Sequence, residues 1–424
     1  IFPQIGMLEW VTMVPIALAL YRLTDRGVSL WKAYRYGFFT VFVFYFILYH
    51  WFVYLYPLDF VGLGNGASVA VIIAGWLGLT LLQAIPGGLM FLGFAALCRT
   101  RLIKRYPLAK PFLFAALWVV FEWSSTLAWT GVPWGRLCLG QMKLLTVLQS
   151  ASLFGSYFIT FLLVVFNALV AMAVMLKPRR VVCVTLAVVL FACNHMFGLL
   201  RMNLQRKIGA EETDVAIIQG NVNSHDKWSA DSYRNTLDIY GGMTRQAAEK
   251  GATLVVWPET AMPFYFQLGG ELPARLREFA RNKGVWLLFG GPARKENSPG
   301  GGDFSRDSSL RNRAFLLNPE GMPESSYDKS HLVPFGEYIP PFLDLPIFEP
   351  LLQGVGGFSP GEEGPLPVVR NGKGDSFRLG MLICYEAIFP EIAREHVARG
   401  ADVLINISND GWYGRSSAPA QHLY

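Results

Sequence analysis

Gly380-Met381-Leu382-Ile383-Cys384-Tyr385-Glu386 reads as a buried apolar strand that stops at a thiol and an acid. A helical pattern follows from Phe389 to Arg399, which places the thiol at a strand-to-helix turn. Free backbone N–H groups and the helix dipole at such a turn favour the thiolate, the form that attacks carbonyl carbon. A buried cysteine without partners is an inert small hydrophobe, so the reading of Cys384 depends on which acids and bases the chain brings beside it.

Upstream, apolar strand patterns cover Asp214 to Gln219, Thr253 to Trp257 and Val285 to Phe289, with helical patterns over Asp231 to Lys250 and Leu272 to Lys283. Arg313 to Leu317 and Ser325 to Leu332 flank Asn318-Pro319-Glu320-Gly321 and predict a hairpin, and Asp402 to Ile407 is a further strand. Strands and helices alternate, so this half is α/β. Glu259 follows one strand, Lys329 lies at the end of the hairpin, and Cys384 ends another strand. Such strand ends are where α/β folds gather their chemistry. A thiol attacking an ester or amide needs a base for its proton and a cation for the developing oxyanion, and Glu, Lys and Cys supply that set. Each also has a plainer reading: Glu259 as a surface acid, Lys329 as a solvated turn lysine, Glu337 and Glu386 as ion-pair partners.

The 424 residues are 52% hydrophobic and only 16% charged, which argues against one soluble domain. Through Lys207 there are 17 Lys and Arg against 4 Asp and Glu, whereas the remainder has 20 against 27. An apolar basic domain over residues 1–207 and an acidic domain over 208–424 are expected. The basic charge sits in short loops between apolar runs, so it does not imply nucleic acid, and no nucleic-acid motif occurs. The five cysteines show no metal-ligand or redox spacing, and no cofactor is implied; Cys384 is the one cysteine in the polar half.

Six runs of the first half approach the roughly 20 apolar residues needed to cross hydrocarbon: Ile1 to Tyr21, Gly37 to Pro57, Val69 to Leu97, Phe112 to Thr130, Ala151 to Leu176 and Val181 to Leu200. Pro86-Gly87-Gly88 is a candidate break or kink. Glu122 is an acid within a span, with Trp123, Ser124 and Ser125 as candidate hydrogen-bond partners. Basic residues crowd alternate loops: Arg22 to Arg35, Arg99 to Lys110 and Lys177 to Arg180. By the positive-inside rule those loops face the cytoplasm and the acidic domain lies outside it.

Read together, Trp257-Pro258-Glu259, Tyr327-Asp328-Lys329 continuing through Val333-Pro334-Phe335-Gly336-Glu337, and Ile383-Cys384-Tyr385-Glu386 resemble the Glu-Lys-Cys motifs of the nitrilase superfamily. With the helical half, Gln219-Gly220-Asn221, Thr130-Gly131-Val132-Pro133-Trp134 and Ser408-Asn409-Asp410-Gly411-Trp412-Tyr413-Gly414, the chain resembles the bacterial apolipoprotein N-acyltransferases. That resemblance implies an αββα sandwich behind a multi-pass helical domain in the bacterial inner membrane, with the catalytic domain on the periplasmic side. It implies transfer of an acyl chain from a phospholipid, typically phosphatidylethanolamine, to the N-terminal amine of a diacylglyceryl-cysteine apolipoprotein. Glu259 would be the general base, Cys384 the nucleophile and Lys329 the stabiliser of the tetrahedral intermediate. Glu337 would support them, and Trp228, Tyr385, Glu386 and Trp412 would shape the site. The family pattern also has a membrane helix before the first one here, and further strands with a closing helix after Gln421-His422, so the chain reads as part of a longer protein.

Two rival readings use the same residues: a membrane-tethered amidase with water as acceptor, and a membrane scaffold whose motifs are vestigial. Pro340 to Phe358, rich in large apolar side chains, Pro and Gly, reads either as a lipid-admitting lid or as cover for the domain's own core.

Overall fold

The computed structural model describes residues 3–58, 63–127, 131–207, 213–222, 230–295, 310–339 and 357–423. It forms two compact units, one from Ile1–Tyr56, Gly66–Ala210 and Ser416–Tyr424, the other from Pro57–Asn65 and Glu211–Arg415. Trp228 and the segment 340–356 lie outside the described residues.

The first unit is helical: α1 (Val14–Asp25), α2 (Leu30–Leu48), α3 (Asn65–Leu97), α4 (Lys110–Ser124), α5 (Ser156–Met175) and α6 (Arg180–Lys207). Five stretches are long and apolar enough to cross a membrane: Gly6–Asp25, Leu30–Leu55, Asn65–Leu97, Ser156–Met175 and Lys177–Leu204. The expected span Phe112 to Thr130 is shorter than its composition suggests, because α4 has 15 residues and stops at Ser124. A helix of that length rises only about 22 Å, against roughly 30 Å of hydrocarbon. Just there the hydroxyls of Ser124, Ser125 and Thr126 donate to the carbonyls of Phe121, Glu122 and Trp123, competing with continued helix.

Pro86 does not break α3, which runs 33 residues through it. The neighbouring glycines serve packing instead. A Cβ at Gly87 would sit 2.6 Å from Val41 on α2, one at Gly88 2.7 Å from Tyr34, and one at Gly37 on α2 2.5 Å from Phe91 on α3. Glu122 accepts hydrogen bonds from Trp118 Nε1 at 3.1 Å, Leu137 N at 2.9 Å and Thr160 Oγ1 at 2.7 Å. The expected neighbours Ser124 and Ser125 bond to backbone carbonyls instead. The partner on the same helix, Trp118, stands four residues back, where helical side chains meet.

In the second unit, β1 (Val215–Ile217), β2 (Leu254–Val256), β3 (Trp286–Arg294), β4 (Leu310–Leu317) and β5 (Pro323–Asp328) form one sheet in that order. The first three pair in parallel and the last two join antiparallel, as the hairpin pattern requires. A second sheet orders β6 (Val368–Arg370), β7 (Ser376–Ile383) and β8 (Val403–Ile407). Alternation along the strands sorts side chains between two cores. Leu254 and Val256 face a core shared with Leu379, Met381, Ile383 and Ile407 of the second sheet. Val255 and Trp257 face the other way, into a core closed by Leu237 of α7 (Ala230–Glu249) and Leu276 of α8 (Glu271–Lys283). Two sheets face to face, with α7 and α8 outside the first and α9 (Pro390–Ala398) following β7, make the expected αββα arrangement.

Candidate active site

Strand ends deliver the site. Trp257, fully buried after β2, donates from Nε1 to Thr244 Oγ1 of α7 at 2.8 Å and anchors the turn that carries Glu259. Thr260 follows with φ +48°, a left-handed conformation that costs a β-branched residue strain. Gly290 on β3 lies behind this turn: a Cβ there would sit 2.7 Å from both Glu259 Cα and Thr260 N, so only glycine leaves room.

Glu259 is 7% exposed. Its Oε1 accepts from Asn312 Nδ2 at 2.7 Å, and its Oε2 from the backbone N–H of Asn409 at 2.9 Å. Lys329, just past β5 and 1% exposed, lies 3.8 Å from Glu259 Oε1 and 2.9 Å from Glu337 Oε2. Glu337 also accepts from Asn312 Nδ2 at 2.8 Å and from Val333 N at 2.8 Å. One amide therefore bridges the two carboxylates that flank one ammonium. Burial alone would lower the Lys329 ammonium, but Glu337, Cys384 and Glu259 outweigh it and hold the group above its ordinary value.

Cys384 ends β7 in a left-handed conformation, φ +54°, and is half-buried. A 3₁₀ turn, Cys384–Ile388, separates it from α9. The expected lowering of the thiol by a helix dipole is not what this geometry produces. Burial pushes the thiol up, Glu259 adds to that, and Lys329 and the Ser408 side chain only partly offset it. The resting group is a thiol beside a carboxylate.

Glu386 is completely buried and holds the turn rather than facing substrate. Its Oε1 accepts from Tyr327 OH at 3.0 Å, Ser330 N and Oγ at 2.7 Å each, and His331 N at 3.0 Å. Its Oε2 accepts from Ile383 N at 2.8 Å, which ties the strand before Cys384 to the loop after Lys329. Tyr385, 7% exposed, packs edge-on to Phe389 with ring centroids 5.1 Å apart. Trp412 lies in the 3₁₀ turn Asp410–Tyr413 that follows β8.

Sequence reasoning missed Asn312 and Gly290 as parts of the site, and it quoted Ser408 and Asn409 only within the motif that carries the family resemblance, without a role. Asn312 stands between two arginines on a strand and reads as solvent-facing. Asn409, at the end of β8, shares the strand-end position that singled out the others, and that signal could have found it.

Comparison with known proteins agrees with the architecture. Residues 214–424 match the family described as Carbon-nitrogen hydrolase, and residues 2–169 match the Apolipoprotein N-acyltransferase N-terminal domain. An apolipoprotein N-acyltransferase of Geobacter metallireducens is 33% identical over 433 residues, spanning 99% of this chain and 76% of that protein. One of Gloeobacter violaceus is 31% identical over 421 residues, 98% of this chain and 75% of that protein. Among solved structures, an amidase from Nesterenkonia sp. covers 51% of this chain and 72% of its own, at 24% identity and a TM-score of 0.35. With both halves matched and a relative aligned along nearly the whole sequence, this multi-pass membrane chain belongs to the apolipoprotein N-acyltransferase family.

Proposed function

We propose that the protein transfers an acyl chain from a phospholipid, phosphatidylethanolamine in the first instance, to the N-terminal amine of a diacylglyceryl-cysteine apolipoprotein through a thioester on Cys384. The observation that carries the reading is the buried Glu259, Lys329 and Glu337 cluster whose charges act on a strand-end thiol. Glu259 takes the thiol proton as sulfur attacks the ester carbonyl. Lys329 Nζ and the Tyr385 backbone N–H are assigned to the oxyanion. Collapse breaks the ester C–O bond, and Glu259 returns the proton to the leaving lysophospholipid oxygen. In the second half the amine attacks the thioester, Glu259 takes a proton from nitrogen, the C–S bond breaks and the thiolate is reprotonated. The product amide is more stable than the thioester, which drives transfer forward.

Intact mass of the purified protein mixed with phosphatidylethanolamine should show one acyl adduct, absent in Cys384→Ala. A diacylglyceryl-cysteine peptide with a free amine should discharge it far faster than water does. An adduct that survives Cys384→Ala rejects the nucleophile, and discharge by water at the same rate as by peptide favours the amidase reading. Lys329→Ala should slow adduct formation by about a hundredfold or more. We assign the catalytic unit to the extracytoplasmic side on the charge of the alternate loops, and that side to the periplasm of the bacterial inner membrane on the family resemblance.

A further inference from the structure

β7 and β8 pair in parallel with Ile383 opposite Ile407, so Cys384 and Ser408 leave the two strands side by side. The segment Ser408-Asn409-Asp410 then reaches both reacting groups. Asn409 donates its backbone N–H to Glu259 Oε2 at 2.9 Å and its Nδ2 to Thr260 Oγ1 at 3.3 Å, which holds the base. Ser408 is hydrogen-bonded to the Cys384 side chain in the sense that favours ionised sulfur. Its hydroxyl also donates to Asp410 Oδ1 at 2.9 Å, and a carboxylate oxygen of Asp410 lies within 4.8 Å of the Cys384 sulfur.

A serine hydroxyl has one proton to donate. While Cys384 is a thiol, the carboxylate of Asp410 is the stronger acceptor. Once Glu259 has taken the sulfur proton, the thiolate competes for the same donor through a charge-assisted bond. We infer that Ser408 is a two-position donor to the nucleophile and that Asp410 positions it: the hydroxyl points to Asp410 at rest and turns to sulfur as negative charge forms there. In that step the S–H bond breaks, its proton goes to Glu259, and Ser408 keeps its own proton while changing acceptor. The same bond steadies the thiolate that leaves when an amine displaces it. The inference rests on Cys384 being the nucleophile, but its test needs no acyl transfer.

The probe is iodoacetamide alkylation of Cys384 in the full chain in detergent from pH 7 to 11, in a background with exposed Cys193 replaced. The charges that face the sulfur are Glu259 after β2, Lys329 and Glu337 after β5, and Asp410 after β8, and burial keeps the nearby Tyr413 hydroxyl protonated. A hydrogen bond to a charged acceptor changes the thiolate population about tenfold or more. The greater nucleophilicity of a more basic thiolate returns about half of that on a logarithmic scale.

Ser408→Ala should therefore slow alkylation about threefold or more at each pH, and Ser408→Thr, which keeps the hydroxyl, should restore it. Asp410→Asn should act in the opposite direction and speed alkylation about threefold, because the competing acceptor is weaker. That gain should shrink when Asp410→Asn is combined with Ser408→Ala, since part of it passes through the hydroxyl. Ser408 is half-buried, so Ser408→Ala keeps the fold; unfolding midpoints check this, and Ser408→Gly makes the same comparison if it does not. Parent-like alkylation in Ser408→Ala, slower alkylation in Asp410→Asn, or an Asp410→Asn gain undiminished without the hydroxyl overturns the inference. A protein that never forms an acyl adduct on Cys384 would reject the transferase reading, whereas these alkylation rates depend on the thiol alone.

Discussion

At the residue scale, charge balance around Cys384 explains why its proton is moved rather than already gone. Glu259 and Glu337 face the single ammonium of Lys329, and a thiolate would add a third anion to that pair. Passing the proton to Glu259 shifts the negative charge from oxygen to sulfur and leaves the total unchanged. Since the Glu259 anion helps push the thiol up, Glu259→Gln should let Cys384 ionise at lower pH while slowing its acylation by lipid. Iodoacetamide alkylation followed from pH 7 to 11, in a background with exposed Cys193 replaced, checks this. An alkylation profile that stays put or moves to higher pH contradicts it. Glu386 answers to stability instead: Glu386→Ala strands the buried Ile383 N–H and removes the acceptor of Tyr327, Ser330 and His331, which are nearer solvent, and should cost about 1–3 kcal/mol, read from denaturant unfolding.

At the scale of elements, β3 sets the position of the turn after β2. Gly290→Ala would push its new methyl into backbone at Glu259 and Thr260, where no side chain can swing aside. Acylation of Cys384 should fall tenfold or more, in line with the roughly hundredfold cost of a 1 Å misplacement, while the unfolding midpoint drops by only a few degrees. Unchanged acylation would mean that the turn tolerates the shift. On the helical side, Gly87→Leu should destabilise by about 1–3 kcal/mol, because α2 and α3 meet there with no room for a side chain. Thermal unfolding in detergent measures it, and an unaltered midpoint would show that the two helices can part without cost.

For the whole molecule, the proposed orientation rests on twelve basic residues in three alternate loops. In intact cells, with native cysteines replaced, a membrane-impermeant thiol reagent should label a cysteine at the exposed Glu320 and miss one at the exposed Arg105. The reverse labelling would put the catalytic unit in the cytoplasm, away from exported lipoproteins. The expectation requires α4, with the residues after Ser124, to complete a crossing; five crossings without it would put Arg99 to Lys110 and Lys177 to Arg180 on opposite sides, so the labelling also tests the short α4.

What was legible from sequence is what depends on local pattern. Charge and hydropathy divided a membrane half from an α/β half because lipid and water select different residues. Short apolar runs and turn residues located β1 to β5, β7 and β8, and the strand-end positions brought Glu259, Lys329 and Cys384 to notice. The three-residue β6 carried too little pattern to be read. Contacts between residues far apart in the chain were decided only in three dimensions. Asn312 bridges Glu259 and Glu337 because β4 lies between them in space, not in sequence. Glu386 became a clamp because the loop at Ser330 folds against the end of β7. The thiol, expected to be ionised by a helix dipole, stays protonated because burial and a neighbouring carboxylate act on it more strongly than a dipole separated from it by a 3₁₀ turn.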